Sequence, residues 1–408
     1  VYLRHFKECV DAGAGSIMGA YNKYQGTYCC DNSYLIRQVL EKEWGFDGFV
    51  ISDFMWGVHK GADAVNGGCD IEMPMRMHFS ALALKSALRK GKITMEQIDE
   101  SCVRIVRTLL AFSEAKDPQS YPKELGQCPE HVALAKEVAE KSLTLLKNKS
   151  VLPFSKDVKS IVLVGDLAKD GNTGDHGSSW MRRANPDTVY DVLNAKFPGK
   201  VTWISNEEFE SKKRLVKDAD AVIAVLGMRH SDEGEFVSEK LKVGGDRVNG
   251  LSLLHGEDKL AEEIGKLNPN SAIVLIGGNM IMLDPWYDSV GAILMAYYPG
   301  MRGGEAITGV LFGDVNPSGK TPYVTPFRES DLPYVDWNAD RQIYGYYHDY
   351  RKLDKDGVKP RIPFGYGLSY TSFRMDDICF VGADQEKAEF SMKVTNTGDR
   401  DGAEVAQL

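Results

Sequence analysis

The chain has no apolar run long enough to cross a bilayer as a helix, which excludes a helical membrane-spanning protein. It has no excess of positive charge. The formal net charge is −9, and an acidic surface attracts neither nucleic acid nor an anionic membrane. It has few cysteines, seven in 408 residues. They are scattered (Cys9, Cys29, Cys30, Cys69, Cys102, Cys128, Cys379), odd in number and without C-x-x-C spacing. Neither a zinc cluster nor a disulfide framework is supported, so the expectation is buried free thiols acting as small apolar side chains, with one or two disulfides left open. No charged segment followed by an apolar core opens the chain at Val1, so localisation stays open, a secreted or periplasmic protein included. Oligomeric state is not written in the composition. With 43% hydrophobic and 26% charged residues, this is ordinary globular material with room for two to three domains.

Residues 1–115 alternate short apolar strands with amphipathic helices, the pattern of parallel strands joined by crossover helices. Ser16 to Tyr21 and Phe49 to Ser52 read as strands. Leu35, Ile36, Val39, Leu40 and Trp44 form one helical stripe between them, stopped by Gly45. Thr94 and Gln97 make a capping-box pattern ahead of a second stripe of Ile98, Cys102, Ile105, Val106, Leu109 and Leu110. Pro118, Pro122 and Pro129 mark a linker. The following helix should place Ala135, Val138, Ala139, Leu143 and Leu146 on one face, so 116–149 reads as linker and helix. Residues 150–325 carry four continuous apolar runs, starting at Ile161, Ala221, Ala272 and Ala292. Continuity rather than alternation predicts strands buried on both faces of a parallel sheet, sandwiched by helices. A connector rich in Pro, Tyr and Asp spans 326–369. From 370 to 408 the period changes to two: Phe390, Met392 and Val394 alternate with Ser391, Lys393 and Thr395, the start of an antiparallel β-sandwich.

Two acidic features stand out. In GFDGFVISDFMWGV (45–58) the strand ends abruptly at Asp53, with Phe54 and Trp56 behind it. Strand C-termini are where α/β enzymes keep reactive groups, and a carboxylate beside aromatic rings suits a sugar. The ordinary alternative is an aspartate that caps a helix or accepts backbone N–H groups. In Ser231-Asp232-Glu233-Gly234-Glu235, three carboxylates crowd into four positions, which without further context describes a solvated acidic loop. A third stretch, IVLVGD followed by GNTGDHGSS, mimics a strand entering a phosphate-binding loop. It lacks both the G-x-G-x-x-G spacing and a P-loop lysine, so nucleotide binding is a weak reading.

Taken together these segments resemble glycoside hydrolase family 3. GSIMGAYNKYQGTYCCDNSYLIRQVLEKEWGFDGFVISDF (15–54) is similar to the family's barrel stretch with its "SYN" and "GFxGFVxSDW" elements, Phe54 replacing the usual Trp. GCDIEMP (68–74) resembles "GLDxEMP". SDEGE (231–235) followed by GGDRVNGLSL (244–253) resembles "SGEGY…GDRxNLTL", with Glu235 where the family has Tyr. DPWYDSVGAILMAYYPGMRGGEAITGVLFGDVNPSGKTP (284–322) and PFGYGLSYTSF (363–373) resemble its second-domain and linker signatures. The likeness runs through essentially the whole chain in the family's order.

The resemblance implies that 1–115 is the C-terminal part of a (β/α) TIM-like barrel. It also implies that 150–325 is the family's α/β sandwich and 370–408 part of a fibronectin-III-like domain, in a fragment truncated at both ends. A partial barrel leaves inner faces unpartnered, so 1–115 is expected not to fold alone and the fragment to be inactive, whereas 150–325 has its own sheet. The implied activity is retaining, exo-acting hydrolysis of β-glucosides, without cofactor or metal. It needs two carboxyl groups roughly 5–5.5 Å apart, one attacking the anomeric carbon and one protonating the leaving oxygen. Asp53 matches the nucleophile and Glu233 the acid/base, with Glu235 its rival. Tyr21, Trp56 and Ser178 match or suit sugar contacts, although buried Tyr and Trp more often serve packing. Alternatives within the family are a β-xylosidase, whose nucleophile motif typically runs S-D-C, and a β-N-acetylglucosaminidase. Outside it stands a non-catalytic carbohydrate-binding or scaffold protein, which retention of both carboxylates argues against.

Overall fold

A computed structural model describes all residues except 1, 115–120, 172–173, 175–176, 182–184, 239–242, 248–249, 337–338, 385–386 and 408, and the backbone alone for 236–238 and 243–246. The first part of the expected linker and the Asp175-His176 pair therefore lie outside the described residues. The chain is an α/β protein in two compact units, Val1–Lys123 and Glu124–Leu408. Among the described residues no helix is long and apolar enough to cross a membrane.

In the first unit, helix α1 (Arg4–Asp11) precedes strand β1 (Ser16–Gly19), which pairs in parallel with β4 (Phe49–Ser52). A small hairpin, β2 (Lys23–Tyr24) and β3 (Thr27–Tyr28), lies between them in sequence. The predicted crossover helix is present at Tyr34–Glu43 but wound as a π-helix. Its last bond runs from the Trp44 N–H to the Val39 carbonyl, five residues back. Its stripe still works: Ile36 and Leu40 pack with Phe46 and Val50 in one buried cluster. Helices α2 (Gly61–Gly67), α3 (Ala81–Arg89) and α4 (Met95–Ser113) complete the unit. The Thr94 capping box forms as read, each partner accepting the other's backbone N–H at 2.9 and 3.3 Å.

One buried ion pair underpins β4. The Asp70 side chain, fully buried, accepts the Val50 N–H at 2.8 Å and the Arg104 guanidinium at 2.7 Å. Apolar residues of α4 depart from expectation: the helix buries no side chain, and Val106, Leu109 and Leu110 are each more than half exposed. The thiols depart likewise. All seven cysteines are free, but only Cys30 and Cys69 are buried; Cys9, Cys102 and Cys379 are exposed. Cys9 and Cys102 ride on α1 and α4, neither of which buries any residue.

The second unit is built on one six-stranded sheet, in the order β5 (Thr144–Asn148), β12 (Ala292–Tyr297), β11 (Ser271–Ile276), β8 (Ala221–Gly227), β6 (Ile161–Val164), β7 (Val201–Ile204). The four predicted runs are β6, β8, β11 and β12, all parallel to their neighbours in that set. Alternate side chains go to opposite faces. Ile161, Leu163, Ile223 and Val225 enter one buried core, with α6 (Val189–Lys196) and α9 (Gly303–Leu311). Val162, Val164, Val222 and Ala224 enter another, with α7 (Phe209–Asp218) and α8 (Glu257–Leu267). Each large side chain so buried contributes about 1.5–3 kcal/mol, which is why strands with no polar face are stable here.

The sheet is mixed, because β5 runs antiparallel to β12. Helix α5 (Pro129–Ser142) ends before Leu143, so Leu146 lies on a strand, not on the helical face. The three-residue spacing of Leu143 and Leu146 fits a helix, but the open edge of β12 decides for strand, and Leu145 and Leu146 enter opposite cores. Beyond the sheet, β9 (Glu233–Ser238) and β10 (Val243–Asp246) form an antiparallel ribbon. Among its described residues the connector holds a 3-10 turn, Glu329–Asp331, and a short α-helix, α10 (Tyr350–Asp356). The predicted period-two segment forms a hairpin, β13 (Phe373–Ala383) with β14 (Ala388–Asn396), in which Phe380 and Phe390 meet edge to face at 5.4 Å.

Candidate active site

In the first unit, Asp53 is the residue after β4, at the strand's C-terminal end. Its own N–H bonds the Gly19 carbonyl at 2.9 Å, tying it to the end of β1. Its Oδ1 accepts the Phe54 N–H at 2.7 Å, so the ordinary reading of a strand-end aspartate that accepts a backbone N–H is realised. Tyr21 lies close by: its hydroxyl donates to the Phe54 carbonyl at 2.6 Å, one residue beyond the carboxylate. The loop then turns sharply. Met55 adopts φ +65°, and the Trp56 N–H reaches back to the Phe54 carbonyl at 2.8 Å. Left-handed backbone at a non-glycine is strained and persists only where surroundings hold it. Gly57 fits the turn because a Cβ there would stand 2.7 Å from both the Asp53 N and O. The turn leaves Trp56 68% exposed and Phe54 56% exposed. Core packing of Trp56 is thereby overturned: the indole is presented to solvent.

In the second unit the topology marks a place of its own. β6 is flanked by β7 on one side and β8 on the other, so the connections leaving β6 and β8 part in opposite directions. A crevice at the C-terminal ends of such strands is the usual ligand site of an open α/β sheet. The connection after β6 carries Ser178, and the connection after β8 carries Glu233 and Glu235. Ser178 is exposed, and its backbone N–H donates to the Glu235 carboxylate at 2.9 Å. Glu233 takes different partners. Its Oε1 accepts the Gly278 N–H at 2.7 Å, from the end of β11, and its Oε2 faces Arg247 Nη1 at 3.3 Å. Its side chain is only 17% exposed. Burial, and next the nearby Glu233 charge, push the Tyr298 phenol well above the usual range.

Supporting polar groups brace the β8 connection. Asp232 accepts the Arg229 N–H at 2.9 Å and pairs with His255 Nε2 at 2.9 Å. Glu257, buried, accepts the Gly227 N–H at 2.8 Å and the Arg229 guanidinium at 3.1 Å. Desolvation pushes the Glu257 carboxyl upward against these stabilising donors. Arg247 and Gly278 were not singled out as site residues from the sequence. Arg247 does sit in GGDRVNGLSL, where a glycine-rich approach after β9 signals a returning strand; Gly278 carries no such signal.

Asp53, after the end of β4, and Glu233, on the connection after β8, are each held by a backbone donor, and Glu233 by a guanidinium as well. Residues 143–370 match the glycosyl hydrolase family 3 C-terminal domain, and residues 1–108 match the glycosyl hydrolase family 3 N terminal domain. The chain belongs to glycoside hydrolase family 3. It is 32% identical to thermostable beta-glucosidase B of Acetivibrio thermocellus, over 100% of this chain and 55% of that protein. It is 29% identical to the exo-alpha-(1->6)-L-arabinopyranosidase of Bifidobacterium longum, again over 100% and 55%. The crystal structure of beta-D-glucoside glucohydrolase from Trichoderma reesei superposes with a TM-score of 0.86 at 25% identity, covering 98% of this chain and 62% of that one. The chain thus spans about half the length of the curated relatives it matches.

Proposed function

We propose that the full-length protein is a retaining, exo-acting β-glycosidase, foremost a β-glucosidase, working by double displacement. The observation that carries the proposal is Glu233, a mostly buried carboxylate held at the sheet's switch point by a guanidinium and a backbone N–H. Family membership and the beta-glucosidase relative support the same reading. The Asp53 carboxylate forms the bond to the anomeric carbon as the bond to the leaving oxygen breaks, and Glu233 gives that oxygen its proton. Glu233 then takes a proton from water, which displaces Asp53 and frees the sugar with its configuration retained. We assign Tyr21 and Trp56 to the rim around the nucleophile and Ser178 to the sugar; the exposure of Trp56 and Ser178 supports this. The arabinopyranosidase relative makes an L-arabinopyranoside the second substrate to assay.

The same proposal covers architecture. Residues 1–115 are taken as the C-terminal part of a (β/α) barrel, supported by the parallel β1–β4 pair. Residues 150–325 are taken as the α/β sandwich, which β5 joins as an edge strand, so the linker and helix expected over 116–149 end at 143; 326–369 is taken as connector. Residues 370–408 are taken as part of a fibronectin-III-like domain, supported by the β13–β14 hairpin.

Trapping with a fluorinated β-glucoside tests the chemistry. In the full-length protein the label is expected on Asp53, and Asp53→Asn is expected to prevent trapping. A label on any other carboxylate overturns the assignment.

A further inference from the structure

The hairpin of β9 and β10 has a consequence for Glu233 that rests on its proposed role as the acid/base. Glu233 opens β9 and pairs in register with Asp246, the last residue of β10. Arg247 follows immediately, so the ribbon returns a guanidinium to the carboxylate from which it set out. That guanidinium is not a loose surface cation. Its side chain is 5% exposed. Nη1 donates to the Met280 carbonyl at 3.0 Å and Nη2 to the Leu251 carbonyl at 2.7 Å, leaving an edge of Nη1 for Glu233 Oε2. Leu251 is itself fixed, its N–H donating to Glu329 at 2.9 Å. Arg247 adopts φ +51°, a conformation an L residue keeps when its neighbours hold it. Opposite, the Gly278 N–H meets Oε1 at 2.7 Å, and a Cβ on Gly278 would stand 2.6 Å from that oxygen and 2.8 Å from the Tyr298 ring. Both oxygens of the carboxylate are therefore addressed by rigid donors.

We propose that Arg247 is the positioning residue of the acid/base: anchored by the Met280 and Leu251 carbonyls, it fixes the Glu233 carboxylate against the Gly278 N–H, in the rotamer from which the proton passes to the leaving oxygen. A planar fork with several donors is what this requires; lysine supplies the charge without the fork. Arg247 is not assigned contact with the sugar.

A positioning role predicts a loss that depends on the leaving group, because protonation matters only when the leaving oxygen is a poor one. Glycosylation rates of the full-length protein would be measured with cellobiose and with dinitrophenyl β-glucoside, for the parent, Glu233→Ala, Arg247→Ala and Arg247→Lys. Arg247→Ala is expected to lose about 10- to 100-fold on cellobiose while staying within about threefold on the dinitrophenyl glucoside. Added guanidinium ion is expected to restore part of the cellobiose rate. If Arg247→Ala does not fold, Arg247→Lys gives the same split, at about tenfold. Equal losses on both substrates, or an unchanged cellobiose rate, overturn the inference. If Glu233→Ala shows the split and neither Arg247 variant does, the Arg247 assignment alone fails. If Glu233→Ala shows no split, the acid/base reading fails, and this inference with it.

Discussion

Substituting Gly57 by alanine is a sharp test of the loop that presents Asp53. The new Cβ would lie 2.7 Å from the Asp53 N, 2.7 Å from its O and 3.0 Å from the Ser52 Cβ. The shortfall from ordinary contact is roughly 0.7 Å, and it falls on backbone atoms that have no rotamer to escape into. The loop cannot absorb it elsewhere. The Asp53 N–H is held by Gly19, its Oδ1 by the Phe54 N–H, and the Phe54 carbonyl by both Tyr21 and the Trp56 N–H. The clash is with the Asp53 backbone itself, so relieving it breaks one of these bonds and displaces Asp53. Overpacking of this kind costs about 1–3 kcal/mol of stability. A displacement approaching 1 Å at a reacting group costs on the order of 10- to 100-fold in rate. The assay is release of dinitrophenol from dinitrophenyl β-glucoside in the first turnover by the full-length protein. That substrate needs little proton donation, so a loss reports the nucleophile rather than the acid. A folded Gly57→Ala protein within about twofold of the parent would refute the reasoning.

Two further predictions concern stability. Among the described residues, Arg104→Leu leaves the fully buried Asp70 carboxylate with the Val50 N–H alone, and is expected to destabilise by about 3–5 kcal/mol. Denaturant unfolding of the full-length protein checks this, and a loss under ~1 kcal/mol would contradict it. Lys147, on β5 and 6% exposed, donates to the Tyr287 carbonyl. Burial and then the neighbouring Lys149 charge bring its ammonium down to about 8 from 10.5. The folded state therefore binds fewer protons than the unfolded state between those values, so its stability should rise with pH across that window and be complete above it. The gap corresponds to about 3 kcal/mol. Lys147→Met is expected to flatten the rise and to gain about 2 kcal/mol at neutral pH once the lost hydrogen bond is counted. Parallel stability curves for parent and variant at pH 7 to 11 would exclude this.

Legibility from sequence followed burial. β6, β8, β11 and β12 were readable because each is buried on both faces, and an unbroken run of Ile, Val, Leu and Ala between turn residues fits little but a central strand. The edge strands were not. β5 contains Lys147, and its leucines continue a helical spacing from α5. β7 is four residues long, with a threonine and a tryptophan among them. What makes them strands is a neighbour's open edge, a contact between positions far apart in sequence: Ala292 pairs with Asn148, and Ile161 with Val201. The π-helical winding of Tyr34–Glu43 left no mark on the apolar stripe either, because Ile36 and Leu40 stay on the buried side in both windings.

The candidate site divides along the same line. Asp53 was legible because its setting is local: a four-residue apolar strand, a carboxylate, then aromatic residues on a turn. Glu233 was ambiguous against Glu235 because what separates them comes from elsewhere in the chain. Arg247 arrives 14 residues on by way of the ribbon, and the Gly278 N–H 45 residues on from the next parallel strand. Glu235 instead takes the Ser178 N–H, 57 residues back in sequence. The Glu235 carboxylate acts in this chain as a strut for the Ser178 connection. Two acidic side chains two residues apart thus serve different loops: one draws the β6 connection toward the ribbon, and the other is left to the guanidinium. Two backbone donors and one guanidinium make that distinction, and the backbone donors carry no residue-type signature.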